Sequence, residues 1–523
     1  MKLRFLPAAL LVLIATPAVA DPPKGFVERV ESLRKQTGAP GVAIAIVEKG
    51  KTTMVRGWGV RKLGASAPIG PHTIFQTGST GKAFTATALA ILVDQGKIAW
   101  DDRVIDHMPW FRMYDPYVTR EMTIRDLLVH RSGLGLGAGD LLFVPRSDLS
   151  RRESVRRLAF IKPATSFRAS YAYDNILYMV AGQLIEEVSG KSWERFMVEN
   201  VLRPGGMTDA TAESEVRFSR ADRSYPHARL GGALRGDGDQ QVLDERAELG
   251  RNAAPAGGLA LSATDLARWL QIQLRQGKLP GGGQLFSEAS ALEMWKPVVP
   301  MPIAQLPEPL ALATPKFNSY ALAWNVSDYR GARMISHAGG VFGSITMVVL
   351  LPDQDVGFAI VMNSEESGFM RGLMYELIDH YLDLPNHDWP TRWAAFMEQR
   401  IAGGKAALAQ RQASPAKVGP SLALDRYSGT YRDPWYGDIA VRNAVNGLTI
   451  DFRSTPRMAG RLEHWQYDTF VTRFDDTSIE PAYVTFALDA DGKVSRVTMK
   501  AVSPLADFSY DYHDLDFAPV AAK

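Results

Sequence analysis

Three textures of hydrophobic patterning divide the chain. Near its start, Phe26, Val27, Val30 and Leu33 recur at helical spacing, Val42-Ala43-Ile44-Ala45-Ile46-Val47 is an unbroken apolar run, and Ala83 to Val93 is apolar or small with neither Pro nor Gly. The first predicts a helix over 25–37 that Gly38-Ala39-Pro40-Gly41 ends. The second predicts a strand that turns at Glu48-Lys49-Gly50-Lys51 into a partner over 53–60, and the third a helix buried on nearly all sides and closed at Gly96. In the middle texture helical signals are separated by loops. A short helix starts at Thr123 and stops at Gly133, a longer one runs from Asp174 or Asn175 to about Val188 before Gly190, and a capped amphipathic helix follows Ser262. The charged stretch 214–250 lacks a period and reads as loops. Strand-like runs cover 320–326, 343–351 and 356–362, with a glycine-dense loop before the second, and a helix over about 366–382 completes this part. The last texture begins past Pro385. An Ala-rich helical segment over 389–412 is broken by Pro415 and Pro420, and from about Ser421 short strands alternate, with hairpin turns at Asn446-Gly447 and Asp491-Gly492.

Composition changes the picture in two ways. The opening Met1-Lys2-Leu3-Arg4, the apolar run Phe5 to Ile14 and the small-residue end Ala18-Val19-Ala20 form the three parts of a signal peptide over 1–20, cleaved after Ala20. The mature protein is therefore expected in a periplasm or outside the cell, and no other apolar run is long enough to span a membrane. The chain has no cysteine, so thiol catalysis and zinc–thiolate sites are excluded, and its 523 residues must be held by the core alone. A net charge of +2, without a long basic run, points to neither nucleic acid nor an anionic membrane surface.

The chemistry-bearing residues cluster at predicted element ends. Ser79 falls at the start of the buried helix and Lys82 three residues later, on the same face of its first turn. A serine hydroxyl needs a base, and a lysine can serve when burial and the positive helix end disfavour its ammonium form. Such a pair arises by composition on the order of once in a chain this long, so other residues must support it. Tyr173 and Asn175 stand at the threshold of the helix that follows them, and His337-Ala338-Gly339-Gly340 lies in the glycine-dense loop. His130, beside a helix end, reads as satisfying backbone groups rather than as a base or ligand. The chain contains neither a Gly-x-Ser-x-Gly elbow nor a His-Glu-x-x-His helix.

Ser79-x-x-Lys82, Tyr173-x-Asn175 and His337-Ala338-Gly339, in this order, resemble the penicillin-recognising serine hydrolases. The branch is that of class C β-lactamases, D-alanyl-D-alanine carboxypeptidases, D-aminopeptidases and related esterases. The resemblance covers about residues 25 to 385 and includes Leu127 to Leu134 and Pro255-Ala256-Gly257-Gly258-Leu259. It implies an α+β fold: an antiparallel sheet flanked by helices, an all-helical lobe, and the site in the cleft between them. The domain would span 21–385, with a helical linker over 386–420 and a small all-β domain over 421–523. The resemblance also implies that Ser79 attacks an amide or ester carbonyl through an acyl-enzyme, that Lys82 and Tyr173 share acid and base work in either assignment, and that no metal or cofactor is needed. Asn175, His337, Gly339 and Gly340 would bind substrate, with the N–H groups of Ser79 and Gly340 as the oxyanion hole.

Where many relatives carry Lys-Thr-Gly, this chain has His337 and Ala338. A fixed charge and a hydroxyl contact are lost, which lowers the demand for an anionic β-lactam. The expected substrate is a small peptide, including D-residue peptides. A carboxylesterase with the same machinery and a penicillin-binding or peptide-sensing protein that acylates without turnover are the alternatives. In the C-terminal domain Trp435, Tyr436, Trp465 and Phe470 are candidates to face the cleft.

Overall fold

The computed structural model describes residues 22–247, 249–413 and 415–521, so the signal peptide read in 1–20 lies outside the described residues. The first domain is built on an eight-stranded antiparallel sheet of β1 (Gly41–Glu48), β2 (Lys51–Gly59), β3 (Val299–Pro300), β4 (Asn318–Tyr320), β5 (Asn325–Tyr329), β6 (Ala332–Val341), β7 (Ser344–Leu351) and β8 (Val356–Met362), in the order β2-β1-β8-β7-β6-β5-β4-β3. Every residue of β1 is buried. Because side chains alternate across a strand, Val42, Ile44 and Ile46 enter one core with the helices α1 (Phe26–Thr37), α5 (Ser367–Tyr381) and α6 (Trp389–Gln412), while Ala43, Ala45 and Val47 enter the other. Each isoleucine buried this way contributes about 1.5–3 kcal/mol.

That second core carries the site. It contains α2 (Lys82–Asp94), α3 (Ile176–Ser189) and α4 (Ala263–Leu274), with Phe84 of α2 stacked 3.8 Å from Trp269 of α4. Residues Lys82 to Leu92 are all buried, as the unbroken apolar run requires. Gly190 ends α3 at φ 68°, and Ser262 caps α4 in a reciprocal capping box with Asp265.

Several expectations are corrected. The glycine-dense stretch read as a loop is the second half of β6, held by pairing from Ile335↔Leu350 to Val341↔Ser344. The run 320–326 is divided between β4 and β5, with Ala323 at φ 67° in the break. Stretch 214–250 contains the helix Ser214–Ser219 and the hairpin His227–Gly231 with Gly238–Val242, stabilised from outside by the Arg229–Glu366 ion pair at 2.7 Å. The segment read as a helical linker contains the helix Trp389–Gln412, which packs against both domains. In α6 Trp389 and Trp393 are buried on α5, where a Cβ on Gly372 would come within 2.4 Å of Pro390 Cα, and Gly404 approaches Leu505 of the second domain equally closely.

The second domain is a closed antiparallel barrel of eight strands, β9 (Gly429–Asp433), β10 (Gly437–Ala444), β11 (Gly447–Phe452), β12 (Ala459–Gln466), β13 (Thr469–Phe474), β14 (Ala482–Leu488), β15 (Val494–Ala501) and β16 (Asp516–Pro519). Closure removes the exposed sheet edges that a lone small sheet would leave. Between β15 and β16 the chain leaves the barrel as a loop over 502–511 and reaches the first domain.

Candidate active site

The Ser79 turn is fixed from three sides. Phe75–Gln76 pairs with Ala260–Leu261, Thr77 Oγ1 donates to Leu259 O at 3.0 Å, and Thr80 Oγ1 donates to Thr77 O at 2.8 Å. The chain then runs as a 3-10 turn over Gly78–Gly81 directly into α2, so Ser79 sits one turn ahead of the α-helix and Lys82 is its first residue. Gly78 takes φ +52°, and a Cβ there would lie 2.6 Å from Gly340 N. A Cβ on Gly339 would lie 2.0 Å from Thr77 O. The room these glycines leave is filled by the backbones of β6 and the Ser79 turn against each other. Gly339, expected at the substrate, is buried against the Ser79 turn instead.

The structure brings together Ser79, Lys82, Tyr173 and Asn175. Lys82 Nζ donates to Ser79 Oγ at 3.0 Å, to Asn175 Oδ1 at 2.6 Å and to Ala256 O at 3.0 Å, three acceptors for three donors. Its side chain is fully buried, and burial lowers its pKa to about 7 against the opposing charges of Asp140 and Asp174. The Tyr173 hydroxyl is hydrogen-bonded to Ser79, and burial raises its pKa well above the ordinary phenol value despite that bond. Asn175 is anchored on its other side, where Nδ2 donates to Asp140 Oδ2 at 2.8 Å. The other amide hydrogen of Asn175 is not used in that bond.

His337 and Gly340 occupy opposite situations on β6. The imidazole is buried, Nδ1–H donates to Ala338 O at 2.6 Å, and Nε2 accepts from Tyr320 O–H at 2.7 Å. Burial, with the Lys82 charge adding to it, lowers its pKa to about 3. The sequence suggested a partly charged histidine at the substrate; the ring is neutral, and both nitrogens are spent within the protein. Gly340 is exposed. Val341 and Ser344 flank the two-residue turn at the tip, so antiparallel alternation turns the Gly340 N–H away from β7, to the edge that β5 leaves free beyond Ser336.

His130 is structural, as expected. Its ring is buried and accepts from Asp174 N at 3.2 Å, packing 4.2 Å from the Tyr173 ring and 4.6 Å from Tyr320. The second domain supplies a residue type that sequence reasoning placed elsewhere. Trp435, Tyr436 and Phe470 are buried in the barrel and Trp465 packs by Tyr483, whereas Phe508 sits edge-on 5.8 Å from Tyr173 and Tyr510 stacks 5.3 Å from Phe342 at the β6–β7 tip. Ser509 Oγ donates to Asp140 Oδ2 at 2.8 Å. Asp140, Ser509, Phe508 and the Ala256 carbonyl went unread. Asp140 left one signal, a lone acid within the apolar run from Leu134 to Val144.

Among the described residues no group of three or more His, Asp or Glu could hold a metal ion, and no helix is long and apolar enough to cross a membrane.

A family model described as Beta-lactamase matches residues 26–383, which include Ser79, Lys82, Tyr173, Asn175 and β6. The chain belongs to the β-lactamase family. A second model, described as Domain of unknown function (DUF3471), matches residues 413–519 and so the barrel. Unguisins hydrolase ungD' of Aspergillus campestris is 28% identical over 444 residues, covering 80% of this chain and 77% of the relative. Among solved structures, the D-amino acid amidase of Ochrobactrum anthropi SV3 superposes with a TM-score of 0.55 at 18% identity over 68% of this chain and 98% of the amidase. The octameric penicillin-binding protein homologue of Pyrococcus abyssi gives 0.54 at 19% identity over 90% of this chain and 98% of its own. This β-lactamase-family member is a serine hydrolase, and the unguisins relative is likewise named a hydrolase.

Proposed function

We propose that the protein hydrolyses amide bonds of small peptides, D-residue peptides included, through an acyl-enzyme on Ser79. The observation that carries this reading is the Lys82 amine, 3.0 Å from Ser79 Oγ and desolvated to a pKa of about 7. Near neutrality about half of the molecules then hold a free lone pair at that nitrogen. Lys82 takes the Ser79 proton as Oγ bonds to the substrate carbonyl carbon. The resulting oxyanion is held by the N–H groups of Ser79 and Gly340. Tyr173 keeps its proton in the resting enzyme, so it gives that proton to the departing amine as the C–N bond breaks, and the Lys82 ammonium reprotonates it. Water then attacks the acyl carbon, releasing the acid and restoring the Ser79 hydroxyl.

Two features bear on the substrate. The neutral, internally bonded His337 offers no fixed cation for a carboxylate, which favours substrates other than anionic β-lactams. Phe508, edge-on to Tyr173, occupies space beside the Ser79 group and favours short ligands. The names of an amidase with this fold and of a hydrolase relative support hydrolysis of amides. The same reading includes export, with the leader over 1–20 removed after Ala20; N-terminal sequencing of the exported protein tests it.

The test is turnover of a D-alanine p-nitroanilide beside a short p-nitrophenyl ester by residues 21–523. Anilide cleavage is expected, and Ser79→Ala should reduce it by about 10⁴-fold or more in a folded protein. Cleavage of the ester alone would make the protein an esterase. A stable Ser79 adduct without turnover would make it an acylated sensor.

A further inference from the structure

Resting on the acyl-enzyme reading above, we propose that Asp140 and Ser509 are positioning residues, holding the Asn175 amide and through it aiming the Lys82 amine at Ser79. The chain of contacts is continuous. Ser509 Oγ donates to Asp140 Oδ2 at 2.8 Å, Asn175 Nδ2 donates to the same oxygen at 2.8 Å, and Asn175 Oδ1 accepts from Lys82 Nζ at 2.6 Å. An asparagine amide has nearly the same shape in either orientation, and the flipped form would turn N–H toward a lysine that is itself a donor. An acceptor on the far side selects the productive orientation.

Asp140 does not hold itself in place. It is fully buried, its Oδ1 has no hydrogen-bond partner among the described residues, and its orientation rests on the two bonds at Oδ2. One of them comes from the C-terminal barrel. The loop carrying Ser509 is held to the first domain at several points. Asp511 accepts from Gly139 N at 2.7 Å and Leu141 N at 3.2 Å, bracketing Asp140 in the backbone. Gly137 leaves room for Phe508 O, which a Cβ there would approach to 2.6 Å, and Tyr510 stacks on Phe342 beyond Gly340. The barrel is thereby built into the catalytic apparatus. Burial raises the Asp140 pKa to about 8, against the Asn175 and Ser509 bonds and the Lys82 charge.

Steady-state kinetics on the full mature chain, with the anilide and ester substrates, tests the proposal. Ser509→Ala should lower kcat about three- to tenfold with KM within about twofold. Asp140→Ala should lower kcat about 10–100-fold. Asp140→Asn keeps an oxygen that accepts both bonds and should recover most of the loss, a rescue that a merely structural carboxyl would not give. Far-UV circular dichroism and Tm establish that each variant is folded; if Asp140→Ala does not fold, Ser509→Ala and Asp140→Asn decide. Wild-type kcat in folded Ser509→Ala, or losses confined to KM, would overturn the proposal. Undiminished turnover by Ser79→Ala would instead overturn the acyl-enzyme reading beneath it.

Discussion

Asp126 and Asp140 are both fully buried carboxyls on the helical side of the cleft, and their surroundings are opposite. Asp126 accepts from Arg131 Nε at 2.7 Å, from Arg168, and from both Thr123 N and Oγ1. Burial pushes its pKa up, but the hydrogen bonds from Arg168 and Thr123 and the Arg131 charge outweigh burial, and the pKa is lowered. Asp140 touches only neutral donors, Asn175 and Ser509, and burial wins. Two carboxyls without exposed surface are therefore an ionised anchor in one place and a proton-holding group beside Lys82 and Asn175 in the other. Partners, not depth, separate a structural acid from one placed to serve chemistry.

The largest break in this contrast should come at the phenol on the chemical side. Tyr173→Phe is expected to lower kcat by about 10²–10⁴-fold with little change in KM, and an unchanged kcat would remove Tyr173 from proton transfer. Next is Gly339→Ala, whose Cβ would meet Thr77 O at 2.0 Å and push β6 off the Ser79 turn. A misplacement of this kind should lower kcat by about 10²-fold; full activity would show that the close approach is dispensable.

The pH profile sharpens the comparison at the chemical end. Lys82 must be neutral to accept a proton and has its pKa lowered to about 7, with Asp140 and Asp174 as the facing acids. Below that value kcat/KM should fall by about tenfold per pH unit, and above it should level off. A limb near the ordinary lysine value would refute a desolvated base.

The smallest effect on turnover belongs to the structural end. Asp126→Ala should cost about 1–3 kcal/mol of stability, discounted from the fully buried case because Arg131 and Arg168 are 20% and 38% exposed, while kcat stays within about threefold. The Asp126 contribution is present above its unfolded pKa and fades as pH falls through the lower folded one. A large loss of kcat in folded Asp126→Ala would erase the distinction.

Much of the scaffold was legible because it is local. The helix Ile176–Ser189 follows from its apolar period and from Gly190, and the capped helix after Ser262 from its capping box. The second half of β6 was not legible. Three residues, Ala338, Gly339 and Gly340, carry little strand preference, and the strand forms there because β7 pairs with it and the Ser79 turn packs beneath. The hairpin after His227 was missed for the same reason: its charged sequence is stabilised by Glu366 and by the Asn363 carbonyl, which His227 Nδ1 meets at 2.8 Å.

By itself the sequence determined where several helices start and stop and that Ser79 and Lys82 share one helical face, since capping residues and a spacing of three residues fix both. It also determined that a small all-β domain follows the first, whose closure into a barrel the structure adds. Only the tertiary structure decided the proton affinities and orientations on which the chemistry rests. Lys82 is desolvated by Tyr173, Tyr178 and the Ala256 turn, His337 is neutral because Tyr320 and its own strand use both nitrogens, and Asn175 is oriented by Asp140 and a serine from the far barrel. Dielectric environment and hydrogen-bond partners are properties of what packs around a group, and here that packing comes from segments hundreds of residues apart.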